Sequence, residues 1–341
     1  MTIPTTQKAL LLHKESTPYV LGERPVPQPG PQDVLVKIMA CALNPADHWI
    51  VDPPFSGRLI QNWPHVPGVD GAGVVVGVGA DVSQLKEGDK VYVDIPDNIA
   101  FEQAATIPLG FFTAAMSLYN QTPAGPTNLS LRLKPIWEPE GATAYAGTPI
   151  FIVAGASSVG QYAVQLARIA GHTPIIATAS LHNAPLLASL GATHVLDRHR
   201  SKESLLAELP ALLDGKPLAL AVVAMGDVEA MRLGRDALAP GGALATVVPG
   251  PALGLAPDDV VNPGEGKRVG YSFGSVRLPF TQGMGVVLYK QLHGWLEKGL
   301  LKPNPVELLP NGLAGISEGL ARMKANKVSG TKLVARPQET P

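Results

Sequence analysis

Cysteine is scarce in this chain, and aromatic and charged residues are also few. Cys41 is the single cysteine among 341 residues, which excludes an internal disulfide and a zinc site built from several cysteines. We expect Cys41 to be a small, buried, apolar residue. Charged residues make up 16% of the chain, and the net charge is −1 with no basic run. The charge balance therefore predicts no nucleic-acid partner.

Long apolar runs are missing as well. No stretch reaches the roughly 20 residues that span a bilayer, and residues 1–20 have neither the basic nor the apolar region of a signal peptide. We therefore expect a cytoplasmic protein without membrane contact. A chain of 341 residues is long enough for two domains, each with its own core.

The first third of the chain has the pattern of a β-rich domain. Strands are predicted at Lys8–His13, Asp33–Ala42, Gly71–Gly79 and Val91–Val93. A helical pattern follows over Phe101–Asn120. Residues 121–147 are rich in proline, glycine and threonine, which predicts a long surface loop.

From Pro149 onward, the pattern changes to alternating strands and helices. The strand Ile150–Val153 enters a turn of small residues, and an amphipathic helix follows. The turn has the spacing G-x-G-x-x-G with serine at the second glycine, a motif that is weak alone and strong between a strand and a helix. Such a turn brings backbone N–H groups and a helix N-terminus to a pyrophosphate. The predicted cofactor-binding residues here are Gly155, Ser157, Ser158, Val159 and Gly160.

The alternation continues through the middle of the chain. Further strands are predicted at Thr173–Thr178, Thr193–Leu196, Leu218–Ala224 and Ala243–Val248, with helices at Leu181–Leu190, Lys202–Leu213 and Val228–Leu238. Strands and helices that alternate in this way predict an α/β fold with a doubly wound parallel sheet covered on both faces.

Several segments together resemble the medium-chain dehydrogenase/reductase superfamily over nearly the whole chain. They are Asn44–Asp47, His65–Tyr92, Ala104–Ala115, the dinucleotide turn, Ser189–Asp197, Leu238–Leu244 and Val328–Val334. The resemblance implies a GroES-like substrate domain formed by residues 1–115 and 300–341. It also implies an inserted Rossmann NADP-binding domain, residues 116–299, which contains the 121–147 loop.

The superfamily contains zinc alcohol dehydrogenases and zinc-free reductases, and the ligand positions separate the two. The zinc enzymes carry cysteine where this chain has Asn44, and a His-Glu pair where it has Val69 and Asp70. Valine offers a metal no lone pair, so we expect no bound metal. The chain is then similar to quinone oxidoreductases, and most similar to the fungal stand-alone enoyl reductases that assist polyketide synthases.

The resemblance implies an activity. This is NADPH-dependent, zinc-free reduction of an activated C=C bond, in an enone, enal or enoyl thioester, by hydride transfer. The substrate would be a small molecule, free or as a carrier-bound acyl chain, and the protein a monomer or a homodimer. Two alternatives stay open: a quinone oxidoreductase that uses the same site, and a catalytically weak nucleotide-binding protein.

The choice of nicotinamide cofactor depends on residues after the second strand of the alternating region. NAD sites usually have an acidic residue about 20 residues beyond the glycine turn. Here the first acidic residue is Asp197, after the third strand, so we predict NADPH. Ser180, His182 and Arg198 are the predicted contacts of the 2′-phosphate. Ser180 also suits a plain helix N-cap, and His182 suits an exposed residue at a helix start equally well.

The resemblance also implies which residues line the nicotinamide end of the cleft. Asn44, Asp47 and His48 are the catalytic candidates. Alternatively, Asn44 and Asp47 stabilise a local turn. His48 is either a proton donor or a packed histidine, and Trp49 stands where several relatives use a tyrosine.

A second set of residues is implied near the cofactor. Thr113 matches a family position beside it. Tyr271 and Phe273 lie, with Ser272 between them, where relatives close over the nicotinamide. These residues suit edge-strand packing equally well.

One departure from the family affects the substrate domain, which is shortened after Tyr92. Relatives carry a longer segment before the residues that match Ile95–Asn98, and here only Val93 and Asp94 join the two parts. In relatives that segment completes the barrel and one wall of the cleft. We therefore expect a missing strand pair, unpaired sheet edges and weak turnover.

Overall fold

The computed structural model describes residues 3–51, 60–91, 95–121, 130–247, 264–272, 274–276 and 279–341. The chain divides into two compact units, Met1–Pro108 with Pro303–Pro341, and Leu109–Lys302. The sequence prediction put these divisions after residue 115 and before residue 300. The first division comes earlier because the helix over residues 108–119 packs within the second unit, where Phe111 meets the rings of Tyr162 and Trp295.

The first unit begins with strands. Its elements are β1 (Thr6–Leu11), β2 (Val20–Pro25), β3 (Val34–Ala42), α1 (Pro45–Trp49), β4 (Asp70–Val78), β5 (Lys90–Val91) and α2 (Phe101–Ala105). Strands β1 and β2 form an antiparallel pair. The sequence analysis missed β2 because five of its six residues are exposed, so no apolar alternation marks it.

The second unit alternates strands and helices. Its elements are α3 (Pro108–Tyr119), β6 (Ile150–Val153), α4 (Ser158–Ile169), β7 (Ile175–Ala179), α5 (Ala184–Leu190), β8 (His194–Asp197), α6 (Lys202–Leu213), β9 (Leu220–Val223), α7 (Val228–Asp236), β10 (Ala243–Thr246), β11 (Arg268–Tyr271) and α8 (Pro279–Glu297). The described residues of the 121–147 segment contain neither a helix nor a strand.

The strands of the second unit form one parallel sheet with the order β11-β10-β9-β6-β7-β8. This is the Rossmann order, in which the chain reverses direction across the sheet between β6 and β9. All residues of β6, β7, β9 and β10 are buried, as a parallel sheet covered on both faces requires. The α/β fold class with a doubly wound parallel sheet is therefore confirmed.

The chain then returns to the first unit. The last elements are β12 (Val306–Leu308), α9 (Ile316–Lys324) and β13 (Lys332–Ala335). They complete a five-stranded sheet of order β12-β13-β3-β4-β5. Strand β13 pairs antiparallel with β3 at Val334–Ala42 and Ala335–Cys41, so the C-terminal segment joins the N-terminal strands.

Two predicted helices are divided in the structure, and proline explains both divisions. The pattern over 101–120 becomes α2 and α3 because Pro108 lacks the N–H that a helix interior needs and starts a new helix instead. The pattern over 181–190 becomes a 3-10 turn, Leu181–Asn183, followed by α5. Pro185 lies in the first turn of α5, where a missing N–H costs little.

Among the described residues, no helix combines the length and apolar character that crossing a membrane requires.

Candidate functional sites

The glycine turn lies between β6 and α4, beside the point where the sheet reverses. A Cβ atom added at Gly160 would lie 2.3 Å from the carbonyl oxygen of Ala154, and one at Gly155 would lie 2.8 Å from the Cβ of Ala177. Glycine is therefore required at both positions because the backbone packs so closely. Sequence reasoning assigned both glycines to the cofactor turn, and the structure gives their steric reason.

The side chain of Ser157 is used within the turn itself. Its Oγ accepts from the Gly160 N–H at 3.0 Å and donates to the carbonyl oxygen of Ala224 at 2.9 Å. The first bond caps the N-terminus of α4, and the second ties the turn to the end of β9. Ser158 and Val159 form the first turn of α4, where N–H groups have no acceptor within the helix and the helix dipole favours an anion.

A cluster of polar residues lies at the carboxyl ends of β7 and β8. The pairing of Ala179 with Asp197 brings the residues after each strand together. The Nε of Arg198 donates to Ser180 Oγ at 2.7 Å, and Nε2 of His199 lies 3.4 Å from the same oxygen. Ser180 is buried, whereas Arg198 and His199 are exposed. Two cationic or potentially cationic side chains therefore meet at one hydroxyl group.

Two features of this cluster differ from the sequence analysis. Asp197 was placed too far away to matter, but strand pairing puts it beside the end of β7, where its Oδ1 accepts from the His199 N–H at 3.1 Å. His199 itself was missed, and the signal for it is its place directly after Arg198. His182 is exposed and lies in the 3-10 turn that follows Ser180.

Thr113 lies close to Gly274, which follows the strand β11 in the second unit. A Cβ atom added at Gly274 would lie 2.0 Å from Thr113 Oγ1, so the chain just after the predicted closing residues touches Thr113. Tyr271 ends β11, which is an edge strand of the sheet, and burial raises the pKa of its hydroxyl. Phe273 lies outside the described residues.

The first unit contains a buried polar cluster, which we call the Asn44 cluster: Asn44, Asp47, Asp70 and Lys332. Asn44 follows β3 and caps α1, Asp70 begins β4, and Lys332 begins β13. The strand pairs Ala42–Asp70 and Ala42–Val334 bring them together. All four residues are at most 7% exposed, so the cluster is shielded from solvent.

Hydrogen bonds connect the members of the Asn44 cluster. Lys332 Nζ donates to Asn44 Oδ1 at 2.7 Å and to Asp70 Oδ2 at 2.9 Å. Asn44 Nδ2 donates to the same Asp70 oxygen at 2.8 Å. The Asn44 backbone N–H donates to Asp47 Oδ2 at 2.7 Å. Sequence reasoning missed Lys332 because 262 residues separate it from Asp70 and no spacing motif joins them.

Asp47 has a perturbed acidity. Its pKa is raised to about 7, mainly by burial and also by the Asp70 carboxylate, while the Asn44 N–H and the Lys332 ammonium oppose the shift. The hydroxyl of Tyr19 donates to the Asp47 carbonyl oxygen. His48, one residue later, is half-buried and packs edge-to-face against Trp49 with ring centroids 5.7 Å apart.

Cys41 lies next to the Asn44 cluster and is not a reactive thiol. It lines a small cavity of about 40 Å³ together with Tyr19, Asp47 and Asp70. Burial and the Asp47 charge raise the pKa of its thiol to about 12, so the nucleophilic thiolate is not formed at neutral pH. The structure finds Cys41 half-buried rather than fully buried as the sequence predicts.

The residues at the family's metal position do not fit a metal ion. The Asn44 amide and the Asp70 carboxylate both bind the Lys332 ammonium, which would repel a divalent cation. Val69 offers no ligand atom and is 56% exposed. Within the described part of the chain, no three His, Cys, Asp or Glu side chains are grouped to hold a metal.

Two family models match the chain. The alcohol dehydrogenase GroES-like domain matches residues 30–115, and a family described as zinc-binding dehydrogenase matches residues 158–276. The trans-enoyl reductase grgB of a Penicillium species is 29% identical over 377 residues, which cover 97% of this chain and 98% of that protein. This alignment is longer than the 341-residue chain, so the relative carries residues that this chain lacks.

Solved structures share the fold. The CurF ER cyclopropanase from the curacin A biosynthetic pathway has a TM-score of 0.75 at 23% identity, covering 98% of this chain and 99% of that one. A quinone oxidoreductase of Pseudomonas syringae pv. Tomato DC3000 has a TM-score of 0.72 at 24% identity, covering 96% and 99%. At these identities the likeness establishes the fold.

Proposed function

The chain belongs to the medium-chain dehydrogenase/reductase superfamily, and from this premise we propose that it is an NADPH-dependent, metal-independent reductase of activated C=C bonds. The acceptor would be an enone, an enal or an enoyl thioester, free or carried on an acyl carrier. The observation that carries the proposal is the likeness, over nearly the whole chain, to a relative named a trans-enoyl reductase. The chemistry of the two units supports it.

The second unit supplies the nicotinamide-cofactor site. We assign the pyrophosphate contact to the backbone N–H groups of Ser158 and Val159 at the start of α4, because the Ser157 hydroxyl is already used as a cap. Gly155 and Gly160 keep the turn close enough for that contact. When bound, the reduced nicotinamide supplies a hydride for the β-carbon of the acceptor.

The polar cluster of Ser180, Arg198 and His199 supports a preference for NADPH over NADH. Arg198 and His199 are exposed cations, or potential cations, beside the Ser180 hydroxyl, and a 2′-phosphate pairs well with a guanidinium. Asp197 opposes this charge, but its carboxylate accepts the His199 N–H and two basic residues, Arg198 and His199, follow it directly. Arg198→Ala should weaken NADPH binding by about tenfold or more while NADH binding stays nearly unchanged. Equal losses for the two cofactors would contradict this assignment.

The first unit supplies the substrate chemistry. After hydride transfer the α-carbon needs a proton, and we assign its delivery to His48, which is half-buried and has suitable chemistry near neutral pH. Asn44 and Asp47 are buried and bonded within the Asn44 cluster, so we assign them to the positioning of α1. We assign Thr113, Tyr271 and Phe273 to the nicotinamide pocket.

One assay separates the proposed reductase from its alternatives. Purified protein should oxidise NADPH with an enone and an acyl thioester, at a rate that a chelator does not change. Turnover with a quinone alone would favour the quinone oxidoreductase. Binding of NADPH without turnover of any acceptor would favour the weak nucleotide-binding protein. Loss of activity on chelation, restored by zinc, would refute metal independence.

A further inference from the structure

Lys332 presents a physical problem that its place in the fold does not solve. The side chains of Lys332 and Asp70 are 3% and 0% exposed, and taking two charges out of water carries a large desolvation penalty that their attraction repays only in a favourable geometry. A pair of apolar residues in the same volume is often as stable or more stable. Stability alone therefore does not account for a buried lysine at this position.

We propose that Lys332 is a positioning residue, whose buried ammonium fixes the side-chain amide of Asn44 in one orientation and thereby fixes the start of α1, which carries His48. The inference rests on the proposed function, because His48 is assigned there as the proton donor. Lys332 touches neither cofactor nor substrate in this account. It acts through Asn44.

The Asn44 amide is held in a single orientation. Its oxygen faces the Lys332 ammonium at 2.7 Å, and its NH₂ group faces Asp70 Oδ2 at 2.8 Å. A rotated amide would put NH₂ against the ammonium and oxygen against the carboxylate, so both contacts would become repulsive. The ion pair therefore accepts one orientation only, which a neutral pair of residues would not enforce.

Asn44 is joined to α1 through its backbone, because its side chain is held by Lys332 and Asp70 and makes no cap bond. Asn44 is the N-cap of α1, and its backbone N–H donates to Asp47 Oδ2 in a capping box. α1 has only five residues and is too short to be stable by itself. Its direction therefore depends on the groups that hold it, which are Asn44, the Tyr19 hydroxyl and the helix α9, and His48 follows Asp47 directly. A shift of about 1 Å in such a group can cost about 100-fold in rate.

Lys332 also affects the charges around Asp47. Asp70 from β4 and Lys332 from β13 act on it with opposite sign, and Tyr19 and Cys41 are the neutral titratable groups that face it. Removal of the ammonium takes away a charge that lowers the pKa of Asp47, so that pKa should rise further. This rise gives a readout that does not depend on turnover.

The test compares Lys332→Met, Lys332→Arg and the double variant Lys332→Met/Asp70→Asn, with the exposed Lys327→Met as the matched control. We expect Lys332→Met to lower kcat by about tenfold or more, with little change in the Kd for NADPH, since the cofactor turn lies in the other unit. Lys332→Arg keeps the charge and the donors and should retain more kcat than Lys332→Met. Lys327→Met should behave as the unchanged protein.

The double variant distinguishes positioning from simple charge neutralisation. It removes both buried charges, so the free energy of unfolding and the Asp47 titration midpoint should return toward their original values, while kcat stays low because nothing orients Asn44. If kcat recovers together with stability, Lys332 merely neutralises Asp70 and the proposal is wrong.

Two spectroscopic measurements keep this test separate from the proposed function. NMR titration of ¹³C-labelled aspartate should show a higher Asp47 midpoint in Lys332→Met. Side-chain ¹⁵N relaxation of labelled Asn44 should show a rigid amide in the unchanged protein and a mobile one in Lys332→Met. If the protein reduces no acceptor, the proposed function fails while these signals still decide the role of Lys332. Unchanged signals in folded Lys332→Met would overturn the inference.

Discussion

At the residue scale, the positions that matter most are those where an ordinary side chain would not fit or would not stay charged. Gly160 has no room for a Cβ atom because the Ala154 carbonyl oxygen would lie 2.3 Å away. Asp47 is buried beside a second carboxyl group, that of Asp70, and its pKa rises to about 7. Each of these features has a measurable consequence.

Gly160→Ala should weaken NADPH binding by roughly tenfold or more, because the added methyl group pushes the start of α4 away from the turn. Gly294→Ala is the matched control, since a Cβ atom at Gly294 meets nothing within 4 Å and lies in the same unit. Titration of cofactor fluorescence measures both dissociation constants. An unchanged constant in a folded Gly160→Ala protein would mean that this turn does not bind the phosphates.

Asp47 should make the protein less stable at higher pH. Its pKa is raised from 3.8 in the unfolded chain to about 7 in the folded one, so its contribution to stability is full below 3.8 and is lost as the pH rises to about 7. Asp47→Asn cannot ionise and still offers an oxygen to the Asn44 N–H.

Urea unfolding measures this effect. Between about pH 5 and about pH 8, the unchanged protein should lose on the order of 2 kcal/mol more than Asp47→Asn. Parallel pH profiles for the two proteins would show that Asp47 ionises normally in the folded state.

At the element scale, the position of a strand in its sheet determines how well it is protected, and β6 and β5 are the two extremes. β6 is central in the parallel sheet, between β9 and β7, and all four of its residues are buried. β5 has two residues, pairs with β4 at Gly73–Val91 and Val74–Lys90, and lies at the end of its sheet. The shortening expected after Tyr92 begins there, and residues 92–94 lie outside the described part of the chain.

Hydrogen exchange should therefore differ sharply between these two strands. The amides of Lys90 and Val91 should exchange faster than those of β6 by several orders of magnitude, because an edge strand opens without disturbing the core. Amide exchange followed by mass spectrometry measures this. Equal protection of the two strands would mean that the edge strand β5 is held as firmly as the central strand β6.

At the scale of the whole molecule, sequence patterns predicted what is local and missed what is distant. The strand, turn and helix around Gly155 are contiguous, so apolar periodicity was sufficient to predict them and the parallel sheet. The Asn44 cluster joins residues up to 288 positions apart, and no local pattern contains that pairing. The position of Asp197 beside the end of β7 and the contact of His199 with Ser180 were missed for a related reason, since β7 and β8 become neighbours only through sheet pairing.

Cofactor binding and substrate chemistry are assigned to different units. The Rossmann unit has its own sheet and core, and the cofactor turn lies wholly within it. The unit with the GroES-like match has the Asn44 cluster and a separate sheet. A defect in the five-stranded sheet of the first unit should therefore lower turnover while cofactor binding survives.

The central claim, hydride transfer to an activated C=C bond, is tested most directly by isotope tracing. The protein is incubated with an enone and NADPH carrying deuterium at the transferred position of nicotinamide C4, and the product is analysed by NMR. We predict a saturated ketone with one deuterium at the β-carbon and a solvent-derived proton at the α-carbon. Deuterium on the carbonyl carbon, with the double bond intact, would identify an alcohol dehydrogenase reaction and contradict the account.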